Sequence, residues 1–431
     1  MIYEEVVDRI DSIGQFVKDT GVIRAGKLLR DMGNPEKDLQ IIHIAGTNGK
    51  GSTCAYIAQI LKMNGYKTGL FTSPHLVDIR ERIQINNEPV SKEEFVEAYE
   101  KVESMRTDQL AYFDYILGMA LYIFKKNRVD YVVMETGLGG RFDATNAVSA
   151  PLISVITTIS LEHTAILGNT IEEIAAEKAG IIKEGVPVVF CANDNRVRKV
   201  VAERAGFCNS RCISVDNKSY RMIQNSHGYI DFFVDNEYYK NDCFRISTSA
   251  LYQIENACIA LTACAVLEES GSIHLSRELV KEALLQTHWS GRMEKVMHNL
   301  YVDGAHNTQG IKAFVESVDS MYEDEKMQPA TLLFSVVSDK NYEEMVKILC
   351  CCKHFNRVLV TVTGGVRKLS ADIIENVFRE NLADSQVMVQ VCDDVGQALE
   401  IWDNGLMFAT GSLYLVGDVK KVLGNRLQEE V

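Results

Sequence analysis

Ala45-Gly46-Thr47-Asn48-Gly49-Lys50-Gly51-Ser52-Thr53 is the stretch on which the reading of this chain turns. Ahead of it Ile41, Ile42 and Ile44 make a short apolar strand, and after it Ile57, Ile60 and Leu61 recur at helical spacing. A glycine-rich turn between a strand and a helix lets backbone N–H groups and the helix dipole close around phosphate oxygens. Asn48, Gly49, Lys50, Gly51, Ser52 and Thr53 are therefore the expected nucleotide-binding residues, with Lys50 reaching the terminal phosphates and the two hydroxyls near them, much as in a P-loop. The spacing departs from GxxxxGKS/T, since Ile44 stands at the first glycine and Gly51 directly after the lysine. The competing reading is a turn that binds nothing, and the flanking strand and helix weigh against it.

Outward from the loop the pattern repeats. Strand-like runs at 68–71, 130–134, 152–157 and 186–190 alternate with helical stretches at 108–125 and 170–183, which predicts a mostly parallel sheet covered by helices. A β-rich interval over 219–248 reads as a hairpin on the sheet edge, and helical periodicity follows from Tyr252 to Leu267. After His288 the alternation restarts, with strands at 300–302, 331–337, 358–362, 386–391 and 405–409. The expected fold is α/β in two domains. Residues 1–290 form a P-loop-type nucleotide-binding domain, residues 291–431 a smaller Rossmann-like ligase domain, with a hinge near Trp289 to Glu294.

Composition bounds what such a protein can do. With 46% hydrophobic and 24% charged residues the chain is globular, and 45 basic against 59 acidic residues leave a net charge of −14. That balance argues against a broad grip on nucleic acid or an anionic membrane, so anionic ligands must be captured by a few placed groups. The opening MIYEEVVDRIDSIG is too acidic and too short of apolar residues for a signal peptide, and no run of membrane-spanning length occurs. A cytoplasmic monomer is expected, with its 11 cysteines as reduced thiols. The run Cys350, Cys351, Cys352 lacks the spacing of a zinc site and has no assigned role.

The GTNGKGS loop is followed, in order, by TSPHL (72–76), ETGLGGRFDATN (135–146), EHT (162–164), EKAG (177–180), GRME (291–294), DGAHN (303–307) and GS (411–412). This ordered series, covering nearly the whole length, resembles the folylpolyglutamate synthase and dihydrofolate synthase family of the Mur ligase superfamily. The resemblance implies Ser73, Glu135 and His163 as magnesium ligands. It also implies Lys178, as its carbamate, helping to hold a second magnesium. By the same likeness Asn256, Arg292 and Asp303 hold ATP, and His306, with Asp303, serves the glutamate. The resemblance also implies Tyr112, Phe113, Asp114, Phe142, Asp143 and Ala144 as the residues facing the pterin-bearing substrate. Lys50, Lys178 and His306 are the implied catalytic set.

Bland readings stand beside these. Glu135 can pair with Arg141, Lys178 can be a solvated helix lysine, Arg292 an ordinary ion-pair partner, and Tyr112 and Phe113 the apolar face of a helix. The sequence also departs from the family pattern: Asp114 and Glu162 exchange acid type, Tyr252 replaces a histidine, and Ser290 and Thr308 replace prolines. The expected activity is ATP-dependent ligation of L-glutamate to a folate, or to dihydropteroate, through an acyl phosphate, with closure of the two domains excluding water. The rivals are a peptidoglycan-precursor amino-acid ligase and a nucleotide-binding regulator without catalysis.

Overall fold

The computed structural model describes residues 1–14, 20–226, 228–324, 327–364, 368–382 and 386–429. The chain divides into two compact units. The first comprises Met1–Met222, Phe232–Ile246 and Gln253–His288, the second Ile223–Asp231, Ser247–Tyr252 and Trp289–Val431.

The first unit is built on an eight-stranded sheet: β1 (Gln40–Ala45), β2 (Thr68–Phe71), β3 (Ile83–Ile85), β4 (Glu88–Pro89), β5 (Tyr131–Glu135), β6 (Ile153–Ile156), β7 (Val188–Cys191) and β8 (Cys212–Val215). Their spatial order is β4-β3-β2-β5-β1-β6-β7-β8. The six strands from β2 to β8 run parallel, and β3 and β4 are antiparallel additions at one edge. The inner strands read as near-continuous apolar runs because helices cover both faces: β5, β6 and β7 are buried at every residue. Edge strand β8 alternates exposed and buried residues instead. Chain connections leave β1 toward β2 on one side, while β6 to β8 extend on the other. The carboxyl end of β1 is thus a topological switch point, where open α/β sheets bind ligands.

Register brings the family motifs to that end. Ile44 pairs with Glu135, Ala45 with Ile156, and Phe71 with Met134, so the segments beginning at Gly46, Thr72, Thr136 and Thr157 leave the sheet side by side. The Tyr112–Lys126 helix starts four residues later than the periodicity predicts, because Asp114 accepts the Ala111 N–H at 2.9 Å and caps it there. The Ile171–Ala179 helix stops four residues before the predicted end. The Glu177 carbonyl, which another helical turn would use, accepts the Arg141 N–H at 2.7 Å.

The β-rich interval corrects the expected edge hairpin. It holds three strands, β9 (Tyr220–Ser226), β10 (Tyr229–Val234) and β11 (Asp242–Ile246), in a sheet of their own with order β11-β10-β9. Ile230, Phe232 and Val234 alternate onto one buried face, and the Phe232 and Phe244 rings lie 6.0 Å apart, so these strands have their own apolar surface to share.

The second unit carries a six-stranded sheet of β12 (Glu294–Met297), β13 (Leu300–Val302), β14 (Ala330–Phe334), β15 (Phe355–Val360), β16 (Met388–Val391) and β17 (Met407–Thr410). The order is β12-β13-β17-β14-β15-β16, parallel except for β12. Phe314, Phe334, Phe378 and Phe408 fill its core, and Asp303 follows β13 at the carboxyl edge. All 11 cysteines are unpaired thiols. Among the described residues no helix is long and apolar enough to cross a membrane.

Candidate active site

In the first unit the phosphate loop is held by backbone bonds before any ligand is considered. The N–H groups of Thr47 and Asn48 both donate to the Thr158 carbonyl, at 2.8 and 3.2 Å, and the Thr157 hydroxyl donates to the Asn48 carbonyl at 2.7 Å. Gly46 has no room for a side chain, since a Cβ there would lie 1.8 Å from the Thr157 hydroxyl oxygen. Gly49, at φ 88°, caps the Lys50–Met63 helix. The N–H groups of Lys50, Gly51 and Ser52 fall in the first turn, where a helix has no acceptor of its own and an anion is the natural partner.

Charge is concentrated beside this turn. The Lys50 ammonium lies 3.8 Å from Glu135 Oε1 and 3.4 Å from the Thr47 carbonyl oxygen. Glu135 is 3% exposed, and its Oε2 accepts the Ser73 N–H at 2.9 Å. Arg141, the expected bland partner of Glu135, instead lies 3.6 Å from Glu177. Lys178, also 3% exposed, donates to the Gly46 carbonyl at 2.7 Å. Burial, with the nearby Lys50 charge, lowers its pKa from 10.5 to about 7, against the pull of Glu162 and Asp143. Lys178 is therefore not a solvated helix residue; it faces the underside of the phosphate loop with an amine close to neutrality.

Asn256 is pressed onto the same loop, where a Cβ on Gly49 would meet its Oδ1 at 2.1 Å. Its amide donates to Gln253, and Gln253 donates to the Ser52 hydroxyl at 3.1 Å. Sequence reasoning missed Gln253 as a site residue. The available signal was its spacing of three from Asn256 on a helix whose other buried residues are nearly all apolar. Thr53 and Thr136 are buried, and neither hydroxyl has a hydrogen-bond partner among the described residues.

The donor set suits magnesium. Glu135 and the Ser73 hydroxyl are hard oxygen donors beside a phosphate-binding turn, and such an ion takes one or two protein oxygens with phosphate and water. His163, in a left-handed conformation at φ 50°, has its Nε2 3.9 Å from Glu162.

The residues expected at the pterin divide by environment. Asp114 is 1% exposed and pairs with Arg24 Nε at 2.6 Å, so its charge is used inside the fold. Phe113 lies 5.5 Å from the Phe71 ring, with Gly137 beneath it, and Tyr112 packs under the Arg82 guanidinium. Ala144 is buried, and the Asp143 carboxylate accepts from Leu138 N–H, Thr145 N–H and the Thr145 hydroxyl of its own loop. Phe142 alone is open, at 53% exposure.

In the second unit Asp303 is buried, which raises its carboxyl pKa against the opposing effect of Arg292. Its oxygens accept from Ala305 N–H at 2.8 Å, Met293 N–H at 2.9 Å and the Tyr252 hydroxyl at 2.5 Å. Asp303 thus ties the Arg292 and His306 segments together. Tyr252, noted in the sequence only as a departure, is one of its three donors. Arg292 donates to the Gly291 carbonyl, and His306 Nδ1 lies 2.7 Å from the Gly304 carbonyl oxygen.

Comparison with known proteins points the same way. Residues 44–264 match the Mur ligase middle domain. The chain is 33% identical to the dihydrofolate synthase/folylpolyglutamate synthase of Bacillus subtilis, over 98% of this chain and 99% of that protein. The crystal structure of folylpolyglutamate synthase from Thermotoga maritima is 32% identical with a TM-score of 0.83, covering 98% of this chain and 97% of its own. An FPGS–AMPPCP complex is 28% identical with a TM-score of 0.83, over 98% and 100%.

Proposed function

The chain belongs to the folylpolyglutamate synthase and dihydrofolate synthase family of Mur ligases, and from that premise we propose that it is an ATP-dependent ligase joining L-glutamate to a folate. A folate carboxylate oxygen attacks the γ-phosphorus and ADP leaves; the glutamate amine then attacks the acyl carbon, phosphate leaves and the nitrogen gives up a proton. The observation that carries this reading is the convergence of Lys50, Glu135 and the open helix turn at the switch point of the sheet. Similarity over the whole chain favours it over a peptidoglycan-precursor ligase or a silent nucleotide binder.

The geometry supports the following division of labour. The Lys50, Gly51 and Ser52 N–H groups and the Lys50 ammonium bind and orient the phosphates, offsetting repulsion between the triphosphate and the attacking carboxylate. Ser73, Glu135 and His163 would hold magnesium, and the ion would supply charge neutralisation at the phosphates. Gln253 and Asn256 brace the turn from behind. Lys178, whose amine is near neutral at pH 7, can attack carbon dioxide and lose a proton to give the carbamate of a second magnesium site. Phe142 offers an open ring to the flat pterin-bearing substrate.

For the second unit the proposal keeps Arg292 and Asp303 for ATP and Asp303 and His306 for glutamate. Residues 1–290 are the proposed ATP-binding domain and residues 291–431 the glutamate-ligase domain of a cytoplasmic monomer. The decisive experiment mixes the protein with ATP, magnesium and L-glutamate, and with either tetrahydrofolate or dihydropteroate. A product heavier by one glutamyl unit is expected from tetrahydrofolate, and the same gain on dihydropteroate would reveal a second activity. No mass gain on either pterin would sink the reading.

A further inference from the structure

His43 is the polar exception among the buried residues of β1 in the first sheet. It is 0% exposed on β1, between Met134 of β5 and Ser154 of β6. An aliphatic side chain would fill this place without desolvating a ring. Its Nε2 lies 2.8 Å from the Thr145 hydroxyl oxygen, while its Nδ1 is buried with no partner among the described residues. A ring kept here at that cost has a use for Nε2.

The chain of bonds has one polarity. The Thr145 hydroxyl oxygen lies 2.5 Å from Asp143 Oδ1; burial raises this carboxyl's pKa, but the Leu138 and Thr145 N–H groups both donate to its oxygens and hold it as an acceptor, so the hydroxyl proton points to Asp143. The hydroxyl must then accept from His43, which places the imidazole proton on Nε2. Burial lowers the ring's pKa to about 3, Lys183 adding to the effect, so one proton is all it carries. The donor sequence is His43 Nε2–H to Thr145 O–H to Asp143, whose other oxygen accepts the Leu138 N–H at 2.8 Å. Asn146 secures the far end of the loop, donating to the Arg141 and Gly180 carbonyls at 3.0 and 3.2 Å. Between these anchored residues stands the exposed ring of Phe142.

We propose that His43 and Thr145 are positioning residues for the pterin-bearing substrate, acting through Asp143 to hold the 137–146 loop so that it presents Phe142. The inference rests on the folate reading of the site. It makes the strand that leads into the phosphate loop also the support of the folate loop, while neither His43 nor Thr145 touches a ligand.

The test is steady-state kinetics on the full chain, varying folate and ATP separately. Thr145→Val, which keeps shape and loses the hydroxyl, should raise KM for the folate about tenfold and leave KM for ATP within about twofold. Thr145→Ser should restore the folate KM. In a Phe142→Ala background Thr145→Val should add nothing, because the ring it positions is gone. His43→Gln, which keeps a donor near Nε2, against His43→Leu repeats the comparison at the other partner if Thr145→Val does not fold. Unchanged folate KM, an equal rise in both KM values, or an undiminished effect without Phe142 would each overturn the inference while wild-type turnover stands. Absence of glutamyl transfer by the wild-type protein would instead overturn the folate reading, and this inference with it.

Discussion

Lys178 shows how far burial can change what one side chain does. In the unfolded chain it titrates near about 10.4, and in the folded protein at about 7. Between those values the unfolded state binds the extra proton, so this lysine makes stability rise with pH from about 7 to about 10. Below pH 7 both states are charged, and the burial cost is present in full. Urea midpoints measured across this window in bicarbonate-free buffer should climb for the wild type and climb less for Lys178→Met; parallel slopes would contradict the burial argument. The Lys50 ammonium lies 3.8 Å from Glu135 Oε1 at the phosphate turn. Lys50→Ala should cut glutamate-dependent ADP release on the order of a hundredfold or more while leaving the far-UV dichroism unchanged, and near-normal release would remove Lys50 from the chemistry. Residue identity and motif order made both lysines candidates. The near-complete burial of Lys178 was not readable, because it depends on which loop covers the Ile171–Ala179 helix.

At the scale of elements the phosphate turn and the Tyr252–Glu269 helix form one device. The helix brings Gln253 to Ser52 and Asn256 to Gly49, so the turn is braced at two consecutive points. Gly49→Ala adds a Cβ at φ 88° that meets Asn256 Oδ1 at 2.1 Å, combining backbone strain with a clash. Calorimetry with AMPPCP and magnesium should report a dissociation constant raised about tenfold or more, and an unaltered constant would mean that the turn does not bind the nucleotide. Alternation of strands and helices was legible because parallel strands buried on both faces read as apolar runs. Helix ends were less so. Asp114 delays one start and the Arg141 N–H takes the carbonyl at one end, and neither contact is a property of the helical segment's own periodicity. The β-rich interval was legible as strands but not as a separate sheet, since pairing partners are not set by β-propensity.

The whole molecule offers a natural pair of probes. Its only tryptophans, Trp289 and Trp402, both lie in the second unit, whereas the phosphate turn lies in the first. AMPPCP with magnesium at about a hundred times its dissociation constant stabilises the state that binds it by about 2.7 kcal/mol. Because most of the proposed nucleotide contacts lie in the first unit and only Arg292 and Asp303 in the second, thermal unfolding followed by far-UV dichroism, which sees both units, should then shift upward more than unfolding followed by tryptophan fluorescence. Coincident curves with and without the nucleotide would mean that the two units unfold as one. The net charge of −14 is compatible with anionic substrates for a local reason: Lys50 and three open N–H groups act at contact distance, while distant carboxylates are screened within about 8–10 Å. Residue type and spacing carried the fold class and the family, through strand and helix periodicity and the ordered motifs, and they nominated most of the proposed site residues. Only the tertiary structure decided how those residues are used. It buried Lys178 on the Gly46 carbonyl, turned Asp143 and Asp114 into the fold, left Phe142 open and drew Gln253, His43 and Thr145 into service. Much of that burial, and partners such as Gly46 for Lys178, Arg24 for Asp114, Ser52 for Gln253 and His43 for Thr145, come from segments distant in the chain, which no local pattern records.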